Sequence, residues 1–346
     1  MKWLKDFITD FGWPRIIIAI FLFVLFVMAP FVGVKLGPSF TDVFNRFGQN
    51  AIMVLALVPM VQAGCGLNFG LPVGIVAGLL GALINMQIGL TGITGFVVSV
   101  LFTLLFGVLF GWGYAALLNR VKGEEMTIAM YIGFSIVMFF SILWLILPFT
   151  KATLVMGYAG AGLRRSISLE NYWLKVLNNF GNITIGSFVF PTGLILFVAL
   201  CAFIVFVFMR TKTGTAMTAV GSNPDYARAS GVSINKMRTS AIILSTVLGG
   251  VGILVYQQSF GFVQVYDAPL FMAFPAISAL LIGGASVNKA SMVNVIVGTL
   301  LFQGMLTMTP SVINSMLQTD MSEVIRIIVS NGMIIYALTR KTKVAK

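Results

Sequence analysis

The chain has 346 residues, 58% of them hydrophobic, a mean hydropathy of +1.00 and only 9% charged side chains. A soluble domain carries about 25% charged residues, so this chain cannot cover a water-facing surface; that excludes an ordinary soluble protein, a disordered protein and a nucleic-acid-binding domain. The net charge of +12 therefore reads as basic loops on one face of a membrane, not as a nucleic-acid surface.

A helix needs roughly 20 apolar residues to cross the hydrocarbon core of a bilayer. In chain order the apolar runs predict ten spans, near 14–34, 49–64, 68–88, 93–118, 126–148, 185–209, 239–260, 268–286, 290–307 and 322–339. The runs are continuous and do not alternate every second residue, which disfavours a transmembrane barrel. The first ends without a small-residue cleavage motif and reads as a retained helix. The expected fold is an all-α polytopic membrane protein with about ten transmembrane helices. A single transmembrane domain fills residues 1–346.

Loop charges orient it. With the N-terminus inside, fifteen of the 22 basic residues fall in cytoplasmic segments and six, including Arg164 and Arg165, in external ones; Arg326 lies within the last span. That bias places both termini in the cytoplasm. Between the second and third spans, Gly64-Cys65-Gly66-Leu67-Asn68-Phe69-Gly70 is too short for a free loop. It reads as a tight turn or as an unwound break facing protein or a cavity. Residues 149–184 form an extracytoplasmic loop. Within it, Ser168–Leu177 reads either as a short helix on the membrane face, anchored by Trp173, or as a plain connection.

No chemistry of the enzymatic kind is visible. The chain has no histidine, and its two cysteines, Cys65 and Cys201, sit in apolar runs. No disulfide framework, metal site, cofactor or catalytic residue is expected. No clustered carboxylates and no nucleophile–base pair stand out.

The cytoplasmic segment 210–238 carries the most specific signal. Asn223 can cap a helix, Pro224 suits its first position, Asp225 favours its positive start, and Gly231 can take the left-handed position after its end. The enclosed helix has under two turns and cannot stand alone in water. It needs its own membrane domain or a partner to pack on.

The run Ala219-Val-Gly-Ser-Asn-Pro-Asp-Tyr-Ala-Arg-Ala-Ser-Gly231 resembles the coupling loop of permease subunits of bacterial ABC importers. The branch is that of monosaccharide (ribose- and galactose-type), nucleoside and branched-chain amino acid permeases. Gly221, Asn223, Ala229 and Gly231 keep its Gly-x-Asn, five residues, Ala-x-Gly pattern. The resemblance continues through Ala279-Leu-Leu-Ile-Gly-Gly-Ala285 and Gly298. It implies two permease subunits, as a homodimer or heterodimer, in a bacterial cytoplasmic membrane. It also implies two cytoplasmic ATPase subunits beneath them and an extracytoplasmic binding protein that delivers solute. Asn223, Pro224, Asp225, Tyr226, Ala227, Arg228 and Gly231 would then engage the ATPase. The chain has no Gly-x-x-x-x-Gly-Lys-Ser/Thr phosphate loop, so energy must come from that partner.

The chain also departs from the family. Sugar permeases of the branch often carry Gly-Ile-Asp-Leu-Ser-x-Gly at the second break. Here Gly66 holds the aspartate position and Asn68 the serine position, partway to nucleoside-type relatives. The leading expectation is a simple-sugar importer and the alternative a nucleoside importer. A self-contained secondary transporter is the reading of a different class. Intramembrane polar residues mark paths or helix–helix contacts. Those singled out for a path are Gln62, Gly66, Asn68 and Gly70 at the break, and Gln257 and Gln258 at an outer helix end. Gln303 and Asn331 are among the further intramembrane amides, and Glu323 and Arg326 are spaced to pair on one helical face.

Overall fold

A computed structural model describes residues 13–121, 123–156 and 162–317, together with residues 324, 327, 328, 331 and 332 of the last predicted span. The Glu323–Arg326 pair lies outside the described residues. Helix α1 (Trp13–Met28) closes through a 3-10 turn at Ala29–Val32. Helices α2 (Leu36–Leu55) and α3 (Leu57–Gln62) form one rod broken at Ala56. The break has a covalent cause: Pro59 supplies no amide proton, and its ring crowds the carbonyl four residues back, at Leu55. Then come α4 (Leu71–Ile88), α5 (Gly92–Leu118) and α6 (Glu125–Ile146).

Short strands follow: β1 (Ser166–Ser168), β2 (Ile183–Ile185) and β3 (Phe188–Phe190). The second half holds α7 (Thr192–Met209), α8 (Lys212–Ser222), α9 (Pro224–Ala229), α10 (Ile234–Phe260) and β4 (Phe262–Gln264). It continues with α11 (Asp267–Phe271), α12 (Ala273–Ile282) and α13 (Met292–Leu317).

Seven helices among the described residues are long and apolar enough to cross a membrane. The differences from ten expected spans are local. The second span begins at Leu36, not at 49, and α2 carries Asp42, Asn45, Arg46, Gln49 and Asn50. The eighth is split at Met272 into α11 and α12, with Pro275 three residues beyond the split. The tenth falls mostly outside the described residues.

Helix α4 is the axis of the bundle, 83% buried, followed by α10 at 67% and α13 at 61%. Glycine brings α4 and α10 together: a Cβ on Gly74 would strike the Thr246 carbonyl, and one on Gly78 the Gly250 carbonyl. The two backbones touch where any side chain would hold them apart. Helices α1, α5, α6 and α7 form a rim and turn apolar faces outward, with Leu105 62% and Phe203 62% exposed. Water would not tolerate so continuous an apolar face, and lipid does.

The two ends of the bundle differ. At one, α8 packs under the 63–70 break and α9 packs on α8. At the other, β1 pairs antiparallel with β4, setting Ile167 opposite Val263, and β2 pairs with β3 in a hairpin. The run Ser168–Leu177 at this second end is neither a helix nor a surface anchor. Leu169, Trp173 and Leu177 are buried at helical spacing, but the segment is a series of turns, and Lys175 takes a left-handed φ of +51°. Trp173 is fully buried, its ring edge-on to Phe96 at 5.9 Å. An interfacial anchor would keep its indole N–H at the headgroups; this one faces the core. At this end Asp267 accepts from the Arg165 Nε and Nη2, at 2.8 and 3.1 Å.

Candidate coupling site and solute cavity

The segment 210–238 is mostly helix. Thr211 starts α8, its hydroxyl accepting from the Gly214 amide at 3.3 Å. Threonine and glycine have poor helix propensity, which hid α8 in the sequence. Asn223 ends α8 and caps α9, its Oδ1 accepting from the Tyr226 amide at 3.0 Å. Pro224 opens α9, Asp225 sits in its first turn and Arg228 in its last. Gly231 then takes a φ of +78° and donates its amide to the Arg228 carbonyl at 3.0 Å. Ala227 is buried beneath α9 while Tyr226 is 69% exposed. Asp225 and Arg228 also face outward, 3.7 Å apart, an exposed pair of little energetic weight. The result is a capped stub seated by one alanine, presenting a tyrosine and two charges.

It continues from α8, and α8 sits on the glycine break. Gly64 and Gly66 have φ of +70° and +73°, a region open to glycine and costly for other residues. A Cβ on Gly221, in α8, would strike the Gln62 carbonyl, and a Cβ on Gly64 would lie 3.0 Å from the Gly221 Cα. The Gln62 amide donates to the Ala290 carbonyl at 2.8 Å and accepts from Thr218 at 3.5 Å. Arg238, at the start of α10, donates to the Gly64 carbonyl at 3.3 Å and to Glu125 at 2.9 Å. That ion pair is nearly buried, with side chains 15% and 14% exposed. One guanidinium therefore joins the break, the start of α6 and the helix leaving α9. A 390 Å³ pocket opens beside it, lined by Gly64, Cys65, Gly66, Glu125, Met126 and Asn288.

The residues singled out for a path divide between the two ends. Asn68 spends its amide inside the protein, donating to Ser245 at 2.8 Å and accepting from Tyr114 at 2.9 Å. Gly70 packs on the same Tyr114 ring, and Gly66 faces Met126. These lie at the α8–α9 end with Gln62. Gln257 and Gln258 are fully buried near the β-strand end. Gln258 donates to Asn178 at 2.7 Å and accepts from the Leu177 amide at 3.3 Å. Neither end of the Gln257 amide has a partner among the described residues.

Beside Gln258 lies a larger space. A cavity of about 890 Å³ opens between α2, α10, α12, α13 and the 175–182 turns. Asn45, Gln49, Asn178, Tyr256, Ser259 and Gln303 are on its walls.

A family sequence model described as "Branched-chain amino acid transport system / permease component" matches residues 16–338. The chain belongs to that permease family. It is a multi-pass inner-membrane protein, and its relatives are transport permeases. It is 25% identical over 161 residues to the nucleoside ABC transporter permease protein NupB of Lactococcus lactis subsp. cremoris (strain MG1363), covering 46% of this chain and 40% of that protein. It is 30% identical over 130 residues to the fructose import permease protein FrcC of Rhizobium meliloti, covering 37% of this chain and 36% of that one. It is 34% identical over 92 residues to the nucleoside permease protein NupC of the same Lactococcus strain, covering 25% and 28%. The matched stretches thus span two fifths or less of these relatives. No solved structure matches.

In this permease the polar stripe of α2 is what sequence reasoning missed. Asp42, Asn45, Arg46, Gln49 and Asn50 recur at three- and four-residue spacing, the signature of one helical face. Drawing the span from 49 left most of them in an external loop. Arg238 was legible only as a cytoplasmic basic residue; its partner Glu125 is 113 positions away.

Proposed function

We propose that this permease is the membrane-spanning, non-hydrolysing subunit of an ABC importer for a small uncharged solute, a simple sugar or a nucleoside. It works as one of a pair of permease subunits, with a separate cytoplasmic ATPase beneath and an extracytoplasmic binding protein above. The observation that carries the reading is α9: a helix too short to stand alone, capped at both ends, presenting Tyr226, Asp225 and Arg228 outward and joined at Asn223 to α8, whose Gly221 packs on the break in the bundle. A partner that grips this stub pulls on the membrane helices through Gly221 and Arg238.

The basic bias of the loops supports ten spans with the α8–α9 end and both termini in the cytoplasm. The β-strand end then faces the binding protein. The names of the relatives support both solute classes: fructose favours the sugar, and two nucleoside permeases favour the nucleoside. A self-contained transporter would not need α9.

The purified chain is expected to bind no ATP on its own, and to co-purify from native membranes with a protein that carries a phosphate-binding loop. ATP binding by the pure chain in equilibrium dialysis, or a chain that runs alone after mild solubilisation while uptake persists, contradicts the reading.

A further inference from the structure

Solute importers can leave recognition to a binding protein, so a permease needs no selective site of its own. The cavity at the β-strand end is nevertheless built like one. Its volume of about 890 Å³ lies within the range of small-molecule sites, roughly 300–1,000 Å³. Its floor is neutral and its rim charged: Asn178, Ser259 and Gln303 are 8%, 7% and 5% exposed, whereas Asp42, Arg46 and Lys175 are exposed.

The floor is also held in place. Asn178 donates to Asn45 at 2.9 Å and to Ser259 at 2.8 Å, Gln49 donates to Ser259 at 2.8 Å, and Gln258 donates to Asn178 at 2.7 Å. This network fixes the amides yet leaves some of their capacity unused. Within it Asn45 uses its Oδ1 and Gln49 its Nε2, and the Gln303 amide stands on the floor outside it.

The donors and acceptors left over are those a hydroxyl group matches, since a hydroxyl both gives and takes a hydrogen bond. Beside them, the Tyr256 and Phe260 rings stack at 5.5 Å and 22° along α10. Both line the cavity and put aromatic carbon on its wall, apolar surface against which a ring packs. Lys175 adds an independent sign. Among the described residues it is the non-glycine residue with a left-handed φ, at +51°, and its amide is tied to the Gln258 carbonyl at 2.8 Å. Backbone held in such a conformation marks a site that the surroundings over-determine.

We propose that this cavity is a solute-holding site within the permease, selective for an uncharged polyhydroxylated ring. Hydroxyls bind Asn45, Gln49 and Gln303, and one ring face lies on Tyr256–Phe260. The shared chemistry is that of a free sugar or of the sugar of a nucleoside. The proposal rests on the importer reading for its purpose, but its binding test needs no ATPase.

The full chain in detergent is dialysed against radiolabelled fructose, ribose, uridine or adenosine, with glutamate as a charged control. Binding of a neutral probe and not of glutamate is expected. A free sugar that binds as well as its nucleoside places recognition in the hydroxyls alone, and preference for the nucleoside assigns the aromatic wall to the base. Gln303→Leu is expected to weaken binding about ten-fold or more, the effect of losing one amide's bonds. Tyr256→Leu should weaken it by a smaller factor. Gly231→Pro, which acts at the other end, should leave it unchanged. A photoreactive azido derivative of whichever probe binds should label residues 45–49, 256–260 or 303, which locates the site even where a variant folds poorly. The proposal is overturned if no neutral probe binds, if glutamate binds equally, if folded Gln303→Leu and Tyr256→Leu bind like the wild type, or if the label lands elsewhere. Loss of ATPase co-purification with binding intact would sink the importer reading and leave the site standing.

Discussion

Removal of Pro224–Gly231 is expected to reduce uptake to background while the membrane helices still insert and assemble. The stub is seated by a single buried side chain, Ala227, so little of the core is lost with it. What is lost is the surface that a partner can grip. A gentler series should grade the effect. Gly231→Ala forces a Cβ into φ +78°, at a cost of roughly 1–2 kcal/mol, which is about a 5–30-fold fall in the population of the correctly ended helix. Gly231→Pro goes further, because proline cannot reach that φ and removes the amide that bonds Arg228. Uptake per folded complex, with folding read by size exclusion, should fall in the order Ala, Pro, deletion. Equal, wild-type uptake for all three removes α9 from the energy path.

Arg238→Gln should produce the second large effect. The side chain bridges Glu125 and the Gly64 carbonyl, and its pair is nearly buried. Removing one partner of a buried pair leaves the other charge uncompensated, at a cost of about 3–5 kcal/mol. Both thermal stability and uptake should fall. The double change Glu125→Gln with Arg238→Gln separates the two causes: no charge is stranded, so most of the stability should return. Uptake should not, because the Gly64 carbonyl has still lost the group that ties it to the helix leaving α9. If the double variant regains uptake along with stability, the pair is merely structural and transmits nothing.

Part of this was legible because the bilayer imposes a length and α9 is written in local code. A run of 20 apolar residues means a span in any context, and Asn223-Pro224-Asp225 followed by Gly231 specifies the two ends of a short helix without reference to anything distant. What stayed hidden was non-local. By hydropathy Asn45 is loop polarity and Gln49 the first residue of a span; α2 begins at Leu36 and turns both to a cavity. Trp173 suited a membrane surface as well as a core, and only Phe96, from α5, decides which. Gln62 and Asn68 stand out as polar within the membrane, yet what they touch, Ala290 and Ser245, lies more than 170 residues on. The eighth span read as continuous because hydropathy is blind to the break that Pro275 imposes.

The most direct measurement replaces Tyr226, 69% exposed on α9, with a photoreactive phenylalanine analogue and irradiates native membranes. The expected product is a covalent adduct of this chain with a cytoplasmic protein whose sequence contains a phosphate-binding loop, and the adduct should disappear when Gly231 is replaced by proline. Uptake that persists while position 226 labels only lipid, or a protein that binds no nucleotide, would show that α9 is not where this permease is driven.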